Sequence, residues 1–140
     1  MDKPSKLVQD WFRYSRQDLN AARVLFETKN PSFWSNVGFL CQQSAEKSIK
    51  GLLTFRKIPF TKTHDIKVLA KLILEIYPEL KNLLILANDL TPFAVEFRYP
   101  DASKKEMEIN DIQEAITIAE NVYQEMTNKI PFGSLPIIHD

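Results

Sequence analysis

Glycine is scarce in this chain, at 3 of 140 residues. Tight hairpins and dinucleotide-binding turns use glycine at positive φ, so a hairpin-rich or Rossmann-type fold is disfavoured. The composition is 44% hydrophobic and 26% charged, which fits one globular domain that buries a core. These features together predict a single all-α domain.

Cysteine and histidine are also few: Cys41, His64 and His139. A lone cysteine cannot form an internal disulfide or a cysteine-rich zinc site, which indicates a reducing compartment. Neither histidine follows a glutamate at the spacing of a di-iron bundle site. No glycine-rich phosphate loop is present, so any bound phosphate would be held by side chains. We expect no metal, no resident cofactor, and Cys41 packed as a small hydrophobe.

An excess of one charge is also lacking, because 18 basic and 18 acidic side chains balance. Non-specific nucleic-acid binding therefore loses its usual electrostatic driving force. The longest apolar run, around Leu83 to Ala87, is too short to span a bilayer, and no signal peptide precedes the first helix. We expect a cytoplasmic protein that does not bind membranes.

Apolar residues recur at helical spacing between prolines. The predicted helices run from about Ser5 to Thr28, from the N-cap Ser32 to about Arg56, from Ile66 to Glu75 after a cap at Thr63 or Asp65, from Pro78 through Leu90, and onward from a cap at Asp111. Pro92 should interrupt or kink the fourth helix, and residues 101–110 should form a loop. We predict an up-and-down bundle of about five helices over residues 1–130, with a four-helix-bundle core and a proline-punctuated tail over residues 131–140.

The first and last helices should each bury one apolar face. The predicted buried positions are Val8, Phe12, Ser15, Leu19, Ala22 and Phe26 in the first, and Ile112, Ala115, Ile116, Ala119, Val122, Tyr123 and Met126 in the last. Trp11 and Trp34 are also expected in the core.

The second helix carries two stripes. One arc holds Trp34, Val37, Cys41, Ala45, Ser48 and Leu52, flanked by the small residues Gly38, Ser44 and Gly51, which would allow close approach of another backbone. The adjoining arc is polar and holds Gln42, Gln43, Glu46 and Lys50, with Lys47 further round. In the simplest interpretation, Glu46 and Lys50 form a surface pair and the glutamines are solvated.

Four segments taken together resemble the HEPN domain, the higher eukaryote and prokaryote nucleotide-binding domain. They are "DLNAARVLF", "FLCQQSAEKSIKGLLTFRKIPF", "THDIKVLAKLI" and "FRYPD", and the resemblance extends from Trp11 to about Val122. The order of the QQxxEKxxK and HD elements carries most of it. The resemblance implies a helical bundle of about five helices that is commonly a homodimer. It also implies a small nucleotidyltransferase as partner, encoded nearby and forming a toxin–antitoxin pair with it.

Many HEPN proteins are metal-independent ribonucleases that use an arginine followed four to six residues later by a histidine. Here Arg98 is followed by "YPDASKKE", which contains no histidine. The chain is therefore similar to the branch with "RYP" and no such motif, which implies a non-catalytic module that binds a nucleotide or a partner. We expect no catalytic residue, and a ribonuclease toxin is the alternative.

The candidate nucleotide- or partner-binding residues are Gln42, Gln43, Glu46, Lys47, Lys50, His64, Asp65, Arg98 and Tyr99. In one account, Gln42, Glu46 and Lys50 line an inter-helix groove with Arg98 that holds a nucleotide, with purine nucleotides as the candidates, or a phosphate-bearing loop of a partner. In the other, Gln42, Glu46 and Lys50 form a hydrogen-bonded polar seam between helices or between protomers. His64 could instead bond the backbone or Asp65 at a helix start, and Arg98 with Tyr99 could be a packing pair at a helix end.

Overall fold

A computed structural model describes residues 4–95 and 106–131. Its α-helices are α1 (Lys6–Glu27), α2 (Trp34–Phe55), α3 (Ile66–Leu74), α4 (Lys81–Asn88), α5 (Thr91–Val95) and α6 (Ile109–Asn128). The described residues contain no strand, which confirms the all-α prediction. Over the same ranges, no helix combines the length and the apolar character that crossing a membrane requires.

Helix α2 is the central element of the bundle. It packs against α1 and α6, the other two long helices, and also against α3 and α5. Because neighbours cover it on several sides, its buried residues lie around most of its circumference rather than along one stripe. Polar side chains on α2 are therefore enclosed together with the apolar ones.

Close packing between α1 and α2 depends on small residues. A Cβ atom at Gly51 would lie 2.7 Å from the Phe12 ring, which is fully buried. Ser15 Oγ donates to the Ser44 carbonyl oxygen at 2.8 Å and lies 3.0 Å from the Ser44 hydroxyl and 2.7 Å from the Ser48 hydroxyl. The small residues of α2 thus leave room for the Phe12 ring of α1, and the buried serine hydroxyls of the two helices are hydrogen-bonded.

The apolar faces of α1 and α6 are buried largely as predicted, and four side chains differ. Phe26 is only half-buried and packs beside Trp34, with ring centroids 5.8 Å apart. Ile116 and Tyr123 are half-buried, whereas Ile118 is 6% exposed and belongs to the core. The face of α6 is therefore rotated slightly from the one that the spacing predicts.

The predicted cap at Ser32 is wrong. Ser32 lies inside a 3-10 turn, Pro31–Phe33, whose N-cap is Asn30, and the Asn30 side chain accepts from the Ser32 amide at 3.0 Å. Helix α2 begins at Trp34, directly after this turn. Pro31 lacks an amide hydrogen, so no donor is left unsatisfied when it starts a helical turn. Helical structure therefore begins at Pro31, before the predicted cap.

The predicted N-cap of α3 is confirmed, whereas the predicted N-cap of α6 is wrong. Asp65 is confirmed as the N-cap of α3, since its carboxylate accepts from the Lys67 amide at 2.9 Å. Asp111 is wrong as the N-cap of α6: the cap is Glu108, and Asp111 lies at the third position of a capping box, accepting from the Glu108 amide at 3.0 Å. Helix α6 accordingly starts at Ile109, inside the predicted loop.

The single fourth helix predicted from Pro78 to Leu90 is also wrong. Pro78–Leu80 form a 3-10 turn, α4 ends at Asn88, and Pro92 lies in the first turn of the separate helix α5. Proline is tolerated in a first turn, so Pro92 belongs to a new helix rather than kinking the old one. The intervening Leu90 is buried.

Candidate functional site

Glu46 is the centre of the polar group on α2. Lys50, one turn later, donates from Nζ to Glu46 Oε2 at 3.1 Å, and the two side chains are only 8% and 3% exposed. The interpretation of this pair as an exposed surface pair is therefore wrong. A buried ion pair must offset the cost of desolvating two charges, which requires further hydrogen bonds around it.

The two glutamines supply part of that hydrogen bonding. Gln42 Nε2 donates to Glu46 Oε1 at 3.4 Å and to the backbone oxygen of His64 at 3.1 Å. Gln43 Nε2 donates to Gln42 Oε1 at 2.7 Å. Gln42 therefore ties α2 to the segment that leads into α3, and the interpretation of the glutamines as simply solvated is wrong.

His64 completes the group from the segment before α3. Its Nδ1 atom lies 2.9 and 3.1 Å from the two carboxylate oxygens of Glu46, while its side chain is 76% exposed. An ionised carboxylate can only accept, so Nδ1 is the donor in this contact, and in the neutral form of such a ring the lone pair lies on Nε2. The ring partner of His64 is Glu46, 18 residues away in sequence, rather than the neighbouring Asp65.

Asp65 and Lys47 are held by different contacts. The Asp65 carboxylate caps α3, and the Asp65 amide donates to Thr63 Oγ1 at 3.0 Å. Lys47 Nζ lies 2.6 Å from Asp18 Oδ2 on α1, and these two side chains are 24% and 19% exposed. Lys47 and Lys50 are thus neutralised by separate carboxylates on different helices.

The whole group lies within a region recognised by comparison with known proteins. The HEPN domain family model matches residues 8–130. This chain belongs to the HEPN domain family. A crystal structure of ST0689, an archaeal HEPN homologue, superposes with a TM-score of 0.71 at 26% sequence identity, covering 94% of this chain and 100% of that one. No curated protein matches. The predicted resemblance and the HEPN-like fold are confirmed at the level of the family.

Helix α1 of this HEPN domain contributes two residues that sequence reasoning did not place at the site. Asp18 pairs with Lys47, and the Trp11 ring centroid lies 5.6 Å from Lys50 Nζ. The Trp11 indole Nε1 is buried and has no hydrogen-bond partner in the described part of the chain. The sequence separation of Asp18 and Lys47, 29 residues, leaves no local pattern that would reveal the pair.

Arg98 and Tyr99 lie outside the described residues, as do His139 and most of the predicted tail. The packing of Arg98 and Tyr99, and their relation to Lys50 in this HEPN domain, stay predictions. The boundary between the bundle and the tail at residue 131 likewise stays a prediction.

Two cavities of the HEPN bundle lie elsewhere. One of about 290 Å³ lies between the α4–α5 turn and α6, with Leu90, Phe93 and Met107 in its lining. The other, of about 280 Å³, lies between α3 and α4, with Leu74 and Leu84 in its lining. Neither is lined by a candidate site residue. The Glu46 group is a packed polar network in which Glu46 and Lys50 are nearly buried and His64 is exposed. Across residues 4–95 and 106–131, no group of three potential metal ligands is found.

Cys41 is fully buried on α2. Burial raises the pKa of its thiol to about 12, with a smaller opposing effect of Arg23. The thiol therefore stays protonated at neutral pH, as expected for a packed small hydrophobe rather than a nucleophile.

Proposed function

We propose that this chain is a non-catalytic HEPN module that binds a protein partner. In this proposal it is a homodimer and the helical half of a two-component, toxin–antitoxin-like system whose other half is a small nucleotidyltransferase. The observation that carries the preference for a partner over a nucleotide is the pairing of the lysines. Lys47 and Lys50 are each bound to a carboxylate, whereas His64 contacts Glu46 through Nδ1 and its side chain is 76% exposed.

The charge arrangement explains this preference. To hold a phosphate, Lys50 would have to exchange Glu46 for the ligand inside a nearly water-free environment, leaving a buried carboxylate behind. Breaking a buried pair in this way costs about 3–5 kcal/mol. A phosphate at Lys47 would displace Asp18 in the same manner, although at a more exposed position.

A protein partner needs no such exchange. Gln42 and Glu46 fix both the backbone and the ring of His64, so its Nε2 atom is presented at a defined position. A preorganised polar group on the surface loses little entropy when it binds. It can accept a hydrogen bond when neutral and donate one when protonated.

The test is reconstitution with a small nucleotidyltransferase encoded beside this chain. We expect the two purified proteins to co-elute as a complex, and His64→Ala to weaken the complex at least about tenfold, equivalent to about 1.4 kcal/mol. His139→Ala is the matched control, since it removes the other histidine of the chain. Absence of a complex would refute the partner, and equal effects of the two substitutions would refute the contact.

The nucleotide account makes a different prediction. A ligand that binds only the folded state stabilises it by about 1.4 kcal/mol at ten times its dissociation constant. We expect millimolar ATP to leave the melting temperature unchanged. A shift that disappears in Lys47→Ala combined with Lys50→Ala would replace the partner proposal with a nucleotide site.

Assembly is tested separately. We expect light scattering at tens of micromolar protein to give the mass of a dimer, a concentration well above the dissociation constant of a stable interface. A monomer mass under these conditions would contradict the homodimer.

One observation favours a second candidate, the metal-independent ribonuclease. A histidine oriented by a carboxylate can move a proton near neutral pH, and Glu46 orients His64 in this way. The missing histidine after Arg98 argues against this candidate. We expect no cleavage of single-stranded RNA above background. Cleavage lost in His64→Ala, and retained in His139→Ala, would establish the ribonuclease instead.

A further inference from the structure

The His64 ring combines two properties that a nucleophilic histidine requires. Its side chain is 76% exposed, so a solute can reach the ring, and Nδ1 is held by a carboxylate that is itself only 3% exposed. The hydrogen on Nδ1 leaves the lone pair on Nε2. We propose that His64 is a phosphoryl-acceptor site, phosphorylated at Nε2 by an N-phosphorylated donor of the phosphoramidate class, which includes phosphohistidine on another protein.

The reaction balances with the groups at hand. The donor brings its leaving group already protonated. The Nε2 lone pair attacks phosphorus, the phosphorus–nitrogen bond of the donor breaks, and the donor nitrogen takes the bonding electrons and leaves as a neutral amine or imidazole. With phosphoramidate itself the leaving group is ammonia. The ring becomes a phosphorylated imidazolium that keeps its hydrogen on Nδ1, and the Glu46 carboxylate next to that hydrogen stabilises the new positive charge.

The polar network behind the ring keeps Glu46 in place. Lys50 Nζ and Gln42 Nε2 hold its two oxygens at 3.1 and 3.4 Å. Lys50 also neutralises the Glu46 carboxylate. The Glu46–Lys50 pair behind the His64 ring therefore carries no net charge that would repel an incoming anion. The carboxylate orients the imidazole without repelling the donor strongly.

The sequence around His64 also carries more positive than negative charge. The segment from residue 62 to residue 67 carries Lys62 and Lys67 and one carboxylate, Asp65, and both lysines are exposed. Asp65 is engaged by the Lys67 amide at the start of α3. The N-terminus of α3, which is the positive end of the helix dipole, begins two residues after His64.

The test is chemical phosphorylation of the full chain with phosphoramidate at neutral pH. Phosphorylation adds about 80 Da to the intact mass, and peptide mapping assigns it to His64 or His139. We expect His64 to react at least about tenfold faster than His139, which corresponds to about 1.4 kcal/mol of barrier. Equal rates would overturn the proposal.

Two further measurements test whether the Glu46 contact in the folded chain makes His64 reactive. In concentrated urea the Glu46 contact is lost, so we expect the two histidines to react at similar rates. A ratio that unfolding leaves unchanged would show that the local sequence, and not the folded Glu46 contact, sets the reactivity, and would overturn the proposal. Glu46→Gln should lower the native rate at His64 toward that at His139, and an unaltered rate in a folded Glu46→Gln variant would overturn the role of the carboxylate. The proposal goes beyond partner binding, and its failure leaves the reconstitution test unaffected.

Discussion

The buried Glu46–Lys50 pair makes a quantitative prediction about stability. Glu46→Gln keeps the shape of the side chain but removes its charge, so the Lys50 ammonium stays buried without a counter-ion. Lys50→Met does the reverse and leaves the Glu46 carboxylate facing the exposed His64 ring. The double variant removes both charges and keeps side chains of similar volume.

The magnitudes follow from the burial of both side chains. Removing one member of a buried pair costs about 3–5 kcal/mol, whereas replacing both by neutral groups is often close to neutral. We expect Glu46→Gln to lower the free energy of unfolding by about 3 kcal/mol, near the lower end of that range, because an amide can still bond Gln42 and His64. The double variant should lose less than the sum of the single variants, with a coupling energy of about 2 kcal/mol.

The assay is urea unfolding followed by circular dichroism, on wild type, the two single variants and the double variant. Because a domain of this kind has about 5–15 kcal/mol of stability, each single variant should still fold. His64→Ala is the matched control and should lose less than about 1 kcal/mol, since its ring is exposed. Losses in the single variants that add without coupling, or that stay below about 1 kcal/mol, would show that solvent screens the pair and refute the argument.

Four further predictions test the packing and the remaining charges. Gly51→Ala should lower stability by about 1 kcal/mol, because crowding of the Phe12 ring outweighs the gain of about 1 kcal/mol in helix propensity; a more stable variant in urea unfolding would contradict this. Cys41, with its pKa raised to about 12, should react with a disulfide reagent at pH 8 only as fast as the chain unfolds, and rapid labelling in native buffer would show local opening. Lys57→Gly should stabilise the chain by about 1 kcal/mol in thermal melts, since Lys57 follows α2 at φ 58°, whereas Lys57→Ala should give no such gain. Lys47→Ala should cost less than about 1 kcal/mol, because its ion pair is partly exposed; a larger loss in urea would mark the pair as part of the core.

Local signals in the sequence determined the fold class and several details of it. The spacing of apolar residues predicts α1, α2, α3 and α6, because the helical period places those residues on one face whatever the helix packs against. The arc from Trp34 to Leu52, beside which close approach of another backbone is predicted, is fully or nearly buried. Asp65 caps α3 for a similarly local reason, since a side chain at that position reaches an amide two residues away. The order of the QQxxEKxxK and HD elements also predicts the HEPN family.

Tertiary structure alone decided which polar residues are enclosed and what they contact. Periodicity gives the relative orientation of side chains on α2, but not the number of helices that cover it, so the burial of Glu46 and Lys50 follows only from packing against α1, α3, α5 and α6. The Glu46–His64 and Lys47–Asp18 contacts join residues 18 and 29 positions apart. Such contacts depend on where separate helices meet in space, which no local pattern encodes.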